Sequence, residues 1–358
     1  MTEEISKRLL AWYDLNRRDL PWRHAQNAYS IWVSETMLQQ TRVDTVIPYF
    51  RRFMALFPTL TALAQADEAD VLKAWEGLGY YRRARNLQAG ARQVMAEFGG
   101  SLPADSAQLL KIHGIGPYTA GAIAAIAFDL PVAAVDGNVI RVVSRSAGVR
   151  EDVAIPSVGR RIAAIAGDWV PEKRAGDFAQ AMMDLGATVC VPGTPNCDVC
   201  PLNGLCSAKD EGDPELLPIK AKKSPPREIA YDVVLVQRGD TLLLHQRTET
   251  LLGGMWVFPL LEGKHTPSQL IKALKRSTGI AGVYEKDVGE AVHVFTHQVW
   301  KMRVHWVRWI GGEPQAGDGF FSASDMHELP MPTAMRKARQ IAEQEMVGVT
   351  EASRNLTI

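Results

Sequence analysis

The sequence predicts an all-α domain followed by an α+β domain. Apolar residues recur three and four apart up to about residue 207, as in Leu9, Trp12 and Tyr13, which is the period of helices that bury one face. Beyond about residue 229 the period changes to two, and residues 299–310 alternate apolar with polar side chains as a strand does. All four cysteines fall within residues 190–206, at the end of the helical part.

Composition limits the class of protein. The chain has 358 residues, enough for two or three domains, and its 40 Lys and Arg balance 40 Asp and Glu. A balanced charge gives no overall basic field, so any DNA contact must depend on local basic patches and backbone amides. The first twenty residues include four acidic ones, unlike a signal peptide, and the apolar run 120–135 is too interrupted for a membrane span. We expect a cytoplasmic, nucleoid-associated monomer with no membrane contact.

The cysteines have the spacing C-x6-C-x2-C-x5-C, at Cys190, Cys197, Cys200 and Cys206. A segment so rich in Pro and Gly has no apolar core, so a metal group is expected to hold it. Two disulfides are possible, but nothing indicates export to an oxidising compartment. Structural zinc usually has two closely spaced ligand pairs, and here only Cys197 and Cys200 form one. Four thiolates without histidine suit one [4Fe-4S] cluster, in which each iron takes one cysteine.

Two glycines and a proline predict a helix-hairpin-helix motif over residues 105–128. Gly114 and Gly116 permit a tight turn, and Pro117 suits the first position of the second helix. Free amides of the hairpin and of that helix start would form an anion site, for which phosphate is the natural ligand. A single G-x-G is, by itself, more often a simple connection between helices.

Two carboxylates are candidate catalytic groups. Asp136 precedes a predicted helix over residues 139–147, so it is a candidate N-cap, and the helix dipole there favours an ionised carboxylate. Glu35 lies among Trp32, Met37 and Leu38, and apolar burial raises the pKa of a carboxyl group.

The cysteine spacing, the hairpin and the segment 136–139 together resemble the endonuclease III superfamily of DNA glycosylases. Within it, the segment 31–41, Ile-Trp-Val-Ser-Glu-Thr-Met-Leu-Gln-Gln-Thr, resembles the adenine DNA glycosylase (MutY) family. The segments 20–23, 77–87 and 178–187 resemble the same family, and the similarity spans nearly all of residues 7–207.

This resemblance implies an enzyme that removes adenine mispaired with 8-oxoguanine or guanine in duplex DNA. Glu35 would protonate the adenine, Asp136 would stabilise the resulting sugar cation or bond to it, and Tyr118 and Asn138 would orient the intermediate and water. Bifunctional relatives carry a lysine where this chain has Tyr118, so the resemblance implies a monofunctional glycosylase.

The buried adenine must also be flipped out of the duplex, at a cost of a few kcal/mol. The resemblance implies DNA contacts by Gly114, Gly116, Gln40, Thr41, Leu78, Tyr80, Arg82 and Arg83. It implies an adenine pocket formed by Trp22, Arg23, Leu38 and Gln180.

The C-terminal part is similar to the Nudix-like domain that this family appends, in segments 251–259 and 294–297. The resemblance implies that Thr296 and His297 recognise 8-oxoguanine. The glutamate-rich Nudix motif is missing around Gly279, so pyrophosphate hydrolysis is not expected. The predicted boundaries are 1–208 for the helical glycosylase domain with its iron-sulfur loop at 190–206, 209–228 for a charged linker, and 229–358 for the Nudix-like domain.

Three other functions are compatible with parts of the pattern. An endonuclease III type enzyme acting on oxidised pyrimidines is disfavoured by Tyr118. A DNA-binding or redox-sensing iron-sulfur protein would keep the cysteines and the hairpin but would need neither carboxylate. A Nudix hydrolase is disfavoured because this chain lacks the glutamate-rich motif that defines that class.

Overall fold

The computed structural model describes residues 2–24, 27–221 and 225–355, with side chains described as far as residue 346. These residues form two compact units, Met1–Ala66 with Arg83–Lys223, and Asp67–Arg82 with Ser224–Ile358. The first unit is helical and the second contains a sheet, which confirms the predicted fold class. Within the described ranges, no helix is long and apolar enough to cross a membrane.

Residues 2–221 form helices joined mainly by short turns. In chain order these are α1 (Thr2–Asn16), α2 (Pro21–His24), α3 (Ala28–Leu38), α4 (Val43–Leu56), α5 (Leu60–Gln65), α6 (Glu68–Ala74), α7 (Arg82–Glu97), α8 (Ser106–Leu109), α9 (Pro117–Phe128), α10 (Gly137–Ser146), α11 (Pro156–Asp168), α12 (Ala175–Thr188) and α13 (Ser207–Asp210). Short 3-10 helices cover Cys197–Val199 and Pro214–Leu216.

Helix α9 allows close packing because most of its side chains are small. Its residues 119–125 are buried, and it packs against α3 and α12. At Gly121 a Cβ would lie 2.4 Å from the carbonyl oxygen of Ala133, so a larger residue would push the following segment away. This close packing brings together α3 and α12, which carry much of the candidate site.

The second unit is built on a mixed sheet. Its strands are β1 (Arg227–Arg238), β2 (Thr241–Gln246), β3 (Trp256–Val257), β4 (Leu260–Glu262), β5 (Ala281–Val294), β6 (Gln298–Gly311) and β7 (Asp318–Ser322). The order is β3-β2-β1-β6-β5, with β4 paired to β1, β7 paired to β2, and β1 parallel to β6. The helices are α14 (Pro267–Thr278), α15 (Ala323–Glu328) and α16 (Arg336–Asn355), with a 3-10 turn at Thr333–Met335. Helix α14 ends at Gly279, whose φ of +75° makes it the predicted left-handed cap.

Part of the predicted linker, 209–228, is bound to the first unit. The amide of Val153 donates to the Ile219 oxygen at 3.0 Å, and Arg145 Nε donates to the Leu217 oxygen at 3.0 Å. Residues 222–224 of that linker lie outside the described residues, and β1 begins at Arg227.

The division into units differs from the predicted domain boundaries at residues 67–82. This segment was expected within the first domain, and it groups with the second unit. One cause is Lys73, whose ammonium donates to the carbonyl oxygens of His327 and Leu329. The boundaries at 208 and 229 stay predictions.

Gly186 and Gly159 form a matched pair for testing helix packing. A Cβ at Gly186 would lie 2.5 Å from the Cβ of Asn138, whereas a Cβ at Gly159 would meet nothing within 4 Å. We expect Gly186→Ala to lower the free energy of unfolding by about 1–3 kcal/mol through overpacking. Gly159→Ala, in α11, should raise it by about 0.5–1 kcal/mol through reduced chain entropy. Denaturant unfolding measures both, and equal effects would contradict this packing.

Candidate active site

One cavity of the first unit is lined by Glu35 together with all four residues predicted to form the adenine pocket. Its wall consists of Arg18, Leu20, Trp22, Arg23, Ile31, Ser34, Glu35, Leu38, Val43, Ile126, Gln180 and Met183. A mainly apolar wall with a few polar groups is typical of small-ligand sites. The segment before α2, together with α2, α3 and α12, therefore brings together residues that lie up to 165 positions apart, from Arg18 to Met183.

Glu35 is the buried carboxyl group of this cavity. It is 3% exposed, and burial raises its pKa to about 7. The hydroxyl of Tyr118 donates to its carboxylate and lowers that pKa, the charge of Asp136 raises it, and the charge of Arg23 lowers it. A carboxyl group with such a pKa is suited to giving up a proton near neutral pH.

Asp136 occupies a more polar environment than Glu35. It is the N-cap of α10, as the sequence predicts, and accepts hydrogen bonds from the Val139 amide at 2.7 Å and from Asn138 Nδ2 at 2.8 Å. Burial raises the pKa of Asp136, while these hydrogen bonds and the charge of Arg141 lower it. More groups stabilise the ionised form here than at Glu35, which favours an acid role for Glu35 and an anionic role for Asp136.

Arg141 connects this pair to the cysteine segment, and the sequence analysis missed it. Its side chain donates to Asn138 Oδ1 at 2.8 Å, to the Gly186 oxygen at 2.6 Å and to the Cys190 oxygen at 2.7 Å. Asn138 in turn holds Asp136. No local pattern could have identified Arg141, because its partners Gly186 and Cys190 come from distant positions in the chain.

The four cysteines line one cavity and form no disulfide. Arg145, which is 2% exposed, donates to Cys190 Sγ at 3.3 Å and to the Val191 oxygen at 2.8 Å. Among the described residues, no three His, Cys, Asp or Glu side chains lie close enough together to bind a single metal ion. A zinc ion would need its sulfur ligands about 2.3 Å from one point, whereas a four-iron cluster takes one cysteine at each iron. Four cysteine sulfurs at one cavity are a donor set that suits such a cluster.

Gln40 and Tyr80, predicted to contact DNA, both have an unusual backbone. Their φ angles are +58° and +51°, in a region that non-glycine residues rarely occupy and that is frequent at functional sites. Tyr80 is 47% exposed, and within the second unit its hydroxyl lies 3.0 Å from Thr296 Oγ1. Thr296 and His297 are exposed at the turn between β5 and β6.

Arg83 and Leu78 have contacts within the protein, and the DNA contacts predicted for them stay predictions. Arg83 donates to the carbonyl oxygens of Thr36, Met37 and Gln39 at 2.7–2.8 Å and to Thr41 Oγ1 at 3.1 Å. Its guanidinium therefore caps the end of α3, the helix that carries Glu35. Leu78 is buried in the described structure, while Arg82 is exposed.

The predicted hairpin forms, but its two glycines serve different purposes. Gly114 has a φ of +80°, which favours glycine. Gly116 has a φ of −93°, so the expectation that both glycines make the turn is wrong for this one. Gly116 is the N-cap of α9 and offers no side-chain cap, and a Cβ there would meet nothing within 4 Å. The first-turn amides of α9 are therefore left for an external acceptor, as an anion site requires.

The chain is similar to known DNA repair proteins over most of its length. Residues 33–162 match the model of the HhH-GPD superfamily of base excision DNA repair proteins, and residues 232–340 match that of the NUDIX domain. Adenine DNA glycosylase of Rattus norvegicus is 35% identical over 410 residues, covering 97% of this chain and 80% of the rat protein. The Homo sapiens protein of the same name is 34% identical, covering 97% and 75%.

Two solved structures resemble the helical part. A thermostable thymine-DNA glycosylase has a TM-score of 0.53 and 27% identity, covering 59% of this chain and 97% of that chain. Endonuclease III trapped as a covalent intermediate on DNA has a TM-score of 0.50 and 22% identity, covering 59% and 98%. The second likeness shows the fold alone.

Arg141→Gln tests the connection between the carboxylates and the cysteine segment. The shorter side chain would leave the buried oxygens of Gly186 and Cys190 without their donor, at about 1–3 kcal/mol each. We expect a clear loss of thermal stability. The control is Arg161→Gln, an exposed residue paired with Glu151, which should change stability by less than about 0.5 kcal/mol. Similar melting temperatures for the two variants would contradict the connection.

Proposed function

The chain belongs to the adenine DNA glycosylases, and from that membership we propose that it removes adenine mispaired with 8-oxoguanine or guanine in duplex DNA. Enzymes of this family are DNA glycosylases of base excision repair, which hydrolyse N-glycosidic bonds. The observation that carries the proposal is a pair of interacting carboxyl groups: burial raises the pKa of Glu35 to about 7, and Asp136 accepts hydrogen bonds from the Val139 amide and from Asn138.

Glu35 would act as the general acid. Adenine is a poor leaving group until a ring nitrogen is protonated. An ordinary glutamate is protonated about once in 500 at pH 7, whereas a pKa of about 7 makes that about one in two. Proton transfer from Glu35 would let the bond between N9 and C1′ break, with its electron pair leaving on the base.

Asp136 would stabilise the positive charge that then develops on the sugar, or bond to it briefly. Water would add at C1′ and give its proton to the Glu35 carboxylate left by the first step, so that the products are free adenine and an abasic site. Asn138 lies 2.8 Å from Asp136, and the hydroxyl of Tyr118 contacts Glu35, which supports the orienting roles proposed for both. The chemistry parallels that of glycosidases, which divide acid and anion between two carboxyl groups.

The cavity around Glu35 would receive the flipped base. Trp22 and Leu38 supply apolar wall, and Arg23 and Gln180 supply hydrogen-bonding groups. Among the described residues, Arg23 Nε is a buried donor without a partner. A ring nitrogen of adenine is an acceptor that could satisfy it, and an unpaired buried donor is costly when the cavity is empty.

The exposed residues predicted to contact DNA support a duplex partner. Phosphate would bind the amides at Gly114, Gly116 and the start of α9, and Gln40 and Thr41 would lie beside the flipped nucleotide. Tyr80 and Thr296, already in contact, would meet the opposing base together with His297. Recognition of 8-oxoguanine by Thr296 and His297 belongs to this proposal.

The proposal includes one [4Fe-4S] cluster held by Cys190, Cys197, Cys200 and Cys206. When bound, such a cluster crosslinks the segment that carries its ligands. Arg145 and Arg141 hold the backbone around Cys190. We also propose that the protein is a monomer and acts in the cytoplasm at the nucleoid.

Glu35→Gln tests the acid. The amide cannot donate the proton, so we expect cleavage of an adenine:8-oxoguanine duplex to fall by about 10²–10⁴-fold. Binding of the same duplex should persist because the cavity keeps its shape. The assay measures alkali-labile sites under single turnover, and Glu97→Gln, at the exposed end of α7, is the control. Normal cleavage by Glu35→Gln would remove Glu35 from this role.

Borohydride trapping tests the monofunctional mechanism. Tyr118 cannot form an imine with the sugar, so reduction during the reaction should leave no covalent complex with DNA. A bifunctional endonuclease III type enzyme serves as the positive control. Efficient trapping of this chain would mean that a lysine attacks the sugar.

A further inference from the structure

A buried carboxylate joins two arginines of the candidate adenine cavity. Asp184 of α12 is 0% exposed. Its Oδ1 accepts from Arg18 Nε at 2.8 Å and from Arg23 Nη2 at 3.0 Å, and its Oδ2 accepts from Arg23 Nη1 at 2.9 Å. Both arginines line the cavity that contains Glu35. One carboxylate therefore holds two guanidinium groups that belong to a different part of the chain.

Arg23 is fixed from several sides. Besides Asp184, it donates to the Arg18 carbonyl oxygen at 2.8 Å, and its guanidinium lies 5.5 Å from the ring centre of Tyr13. Two hydrogen bonds to a carboxylate fix both position and plane of a guanidinium. This leaves the buried Nε of Arg23 in a set orientation, without a partner among the described residues.

Asp184 also changes the net charge at the cavity. Arg18 and Arg23 would together bring two positive charges to the cavity, and Asp184 offsets one of them at close range. The charged and titratable groups that act on Glu35 are Tyr118 from α9, Asp136 at the start of α10 and Arg23 from α2. Arg23 favours the ionised form of Glu35, so an unbalanced Arg23 would oppose the acid role.

We propose that Asp184 is a positioning residue of the reaction, which fixes Arg18 and Arg23 in the wall of the adenine cavity and offsets their positive charge there. This inference rests on the proposed function, in which Glu35 is the acid and the cavity holds adenine. Asp184 does not line the cavity itself, so it acts through the two arginines.

The pH dependence of cleavage separates this role from a merely structural one. Protonated Glu35 and ionised Asp136 form the active state, so the wild-type rate should fall as pH rises through about 7, and it should also fall at low pH as Asp136, whose pKa burial raises, takes up a proton. Asp184→Asn removes a negative charge, so Glu35 should lose its proton at lower pH. A displacement of about one pH unit would make the variant about tenfold slower at pH 8 and less than about twofold slower at pH 5.

The control lies on the same helix. Asp177 of α12 also pairs with an arginine, Arg174, but this pair is partly exposed and outside the cavity. Asp177→Asn should have the same pH profile of cleavage as the wild type. Single-turnover cleavage of the adenine:8-oxoguanine duplex between pH 5 and pH 9 compares the three proteins. An Asp184→Asn profile that is lowered equally at every pH would overturn the charge role.

A second variant covers the case in which Asp184→Asn does not fold. Arg23→Gln removes the positive charge that favours the ionised form of Glu35, so its profile should move toward higher pH. In the double variant Arg23→Gln/Asp184→Asn the two charge changes offset each other, and the profile should return toward that of the wild type. Identical profiles for wild type and Arg23→Gln would overturn the charge role as well.

A binding measurement separates failure of this inference from failure of the proposed function. A duplex with an uncleavable 2′-fluoro-adenosine opposite 8-oxoguanine reports on the adenine cavity, and a duplex with an abasic analogue does not. Asp184→Asn should weaken binding to the first by more than about fivefold relative to the second. Equal losses of binding to the two duplexes would overturn the inference. Cleavage by Glu35→Gln at the wild-type rate would overturn only the acid assignment.

Discussion

The burial of Glu35 is the constraint on which the rest of the site depends. Keeping this carboxyl group ionised costs about 3 kcal/mol more here than in water, so about half of it is protonated at pH 7. Such a group stays buried only if its surroundings are rigid. Helix α3, buried on nearly every side and capped by Arg83, supplies that rigidity.

Burial raises the pKa of the second carboxyl group too, but more neighbouring groups favour its ionised form. Asp136 is also buried, but it begins a helix, accepts hydrogen bonds from the Val139 amide and Asn138, and lies near the cation of Arg141. The difference between the two carboxyl groups therefore comes from how many donors face each one. Because Arg141 also binds the Cys190 carbonyl, the environment of Asp136 depends on a segment that contains no catalytic group.

Several features of this chain could be predicted from local pattern. The change of period near residue 229, the Gly279 helix cap and the N-cap role of Asp136 all depend on residues close together in the chain, and the structure agrees with each. The family could be recognised because its motifs are also local. The DNA contact of Arg83 stays a prediction, because a basic residue at a helix start can bind either phosphate or the carbonyl oxygens of another helix, and here Arg83 donates to those of α3.

Residue type and spacing were enough to predict the fold class and the family, because helical period, capping and ligand spacing are local, and they also made Glu35 and Asp136 candidates. The partners of these residues became visible only in the folded chain. Asp184 with Arg18 and Arg23, and Arg141 with Gly186 and Cys190, join positions 45 to 166 residues apart. Such pairs leave no periodic trace in the sequence, because they depend on how helices pack and not on how each one forms.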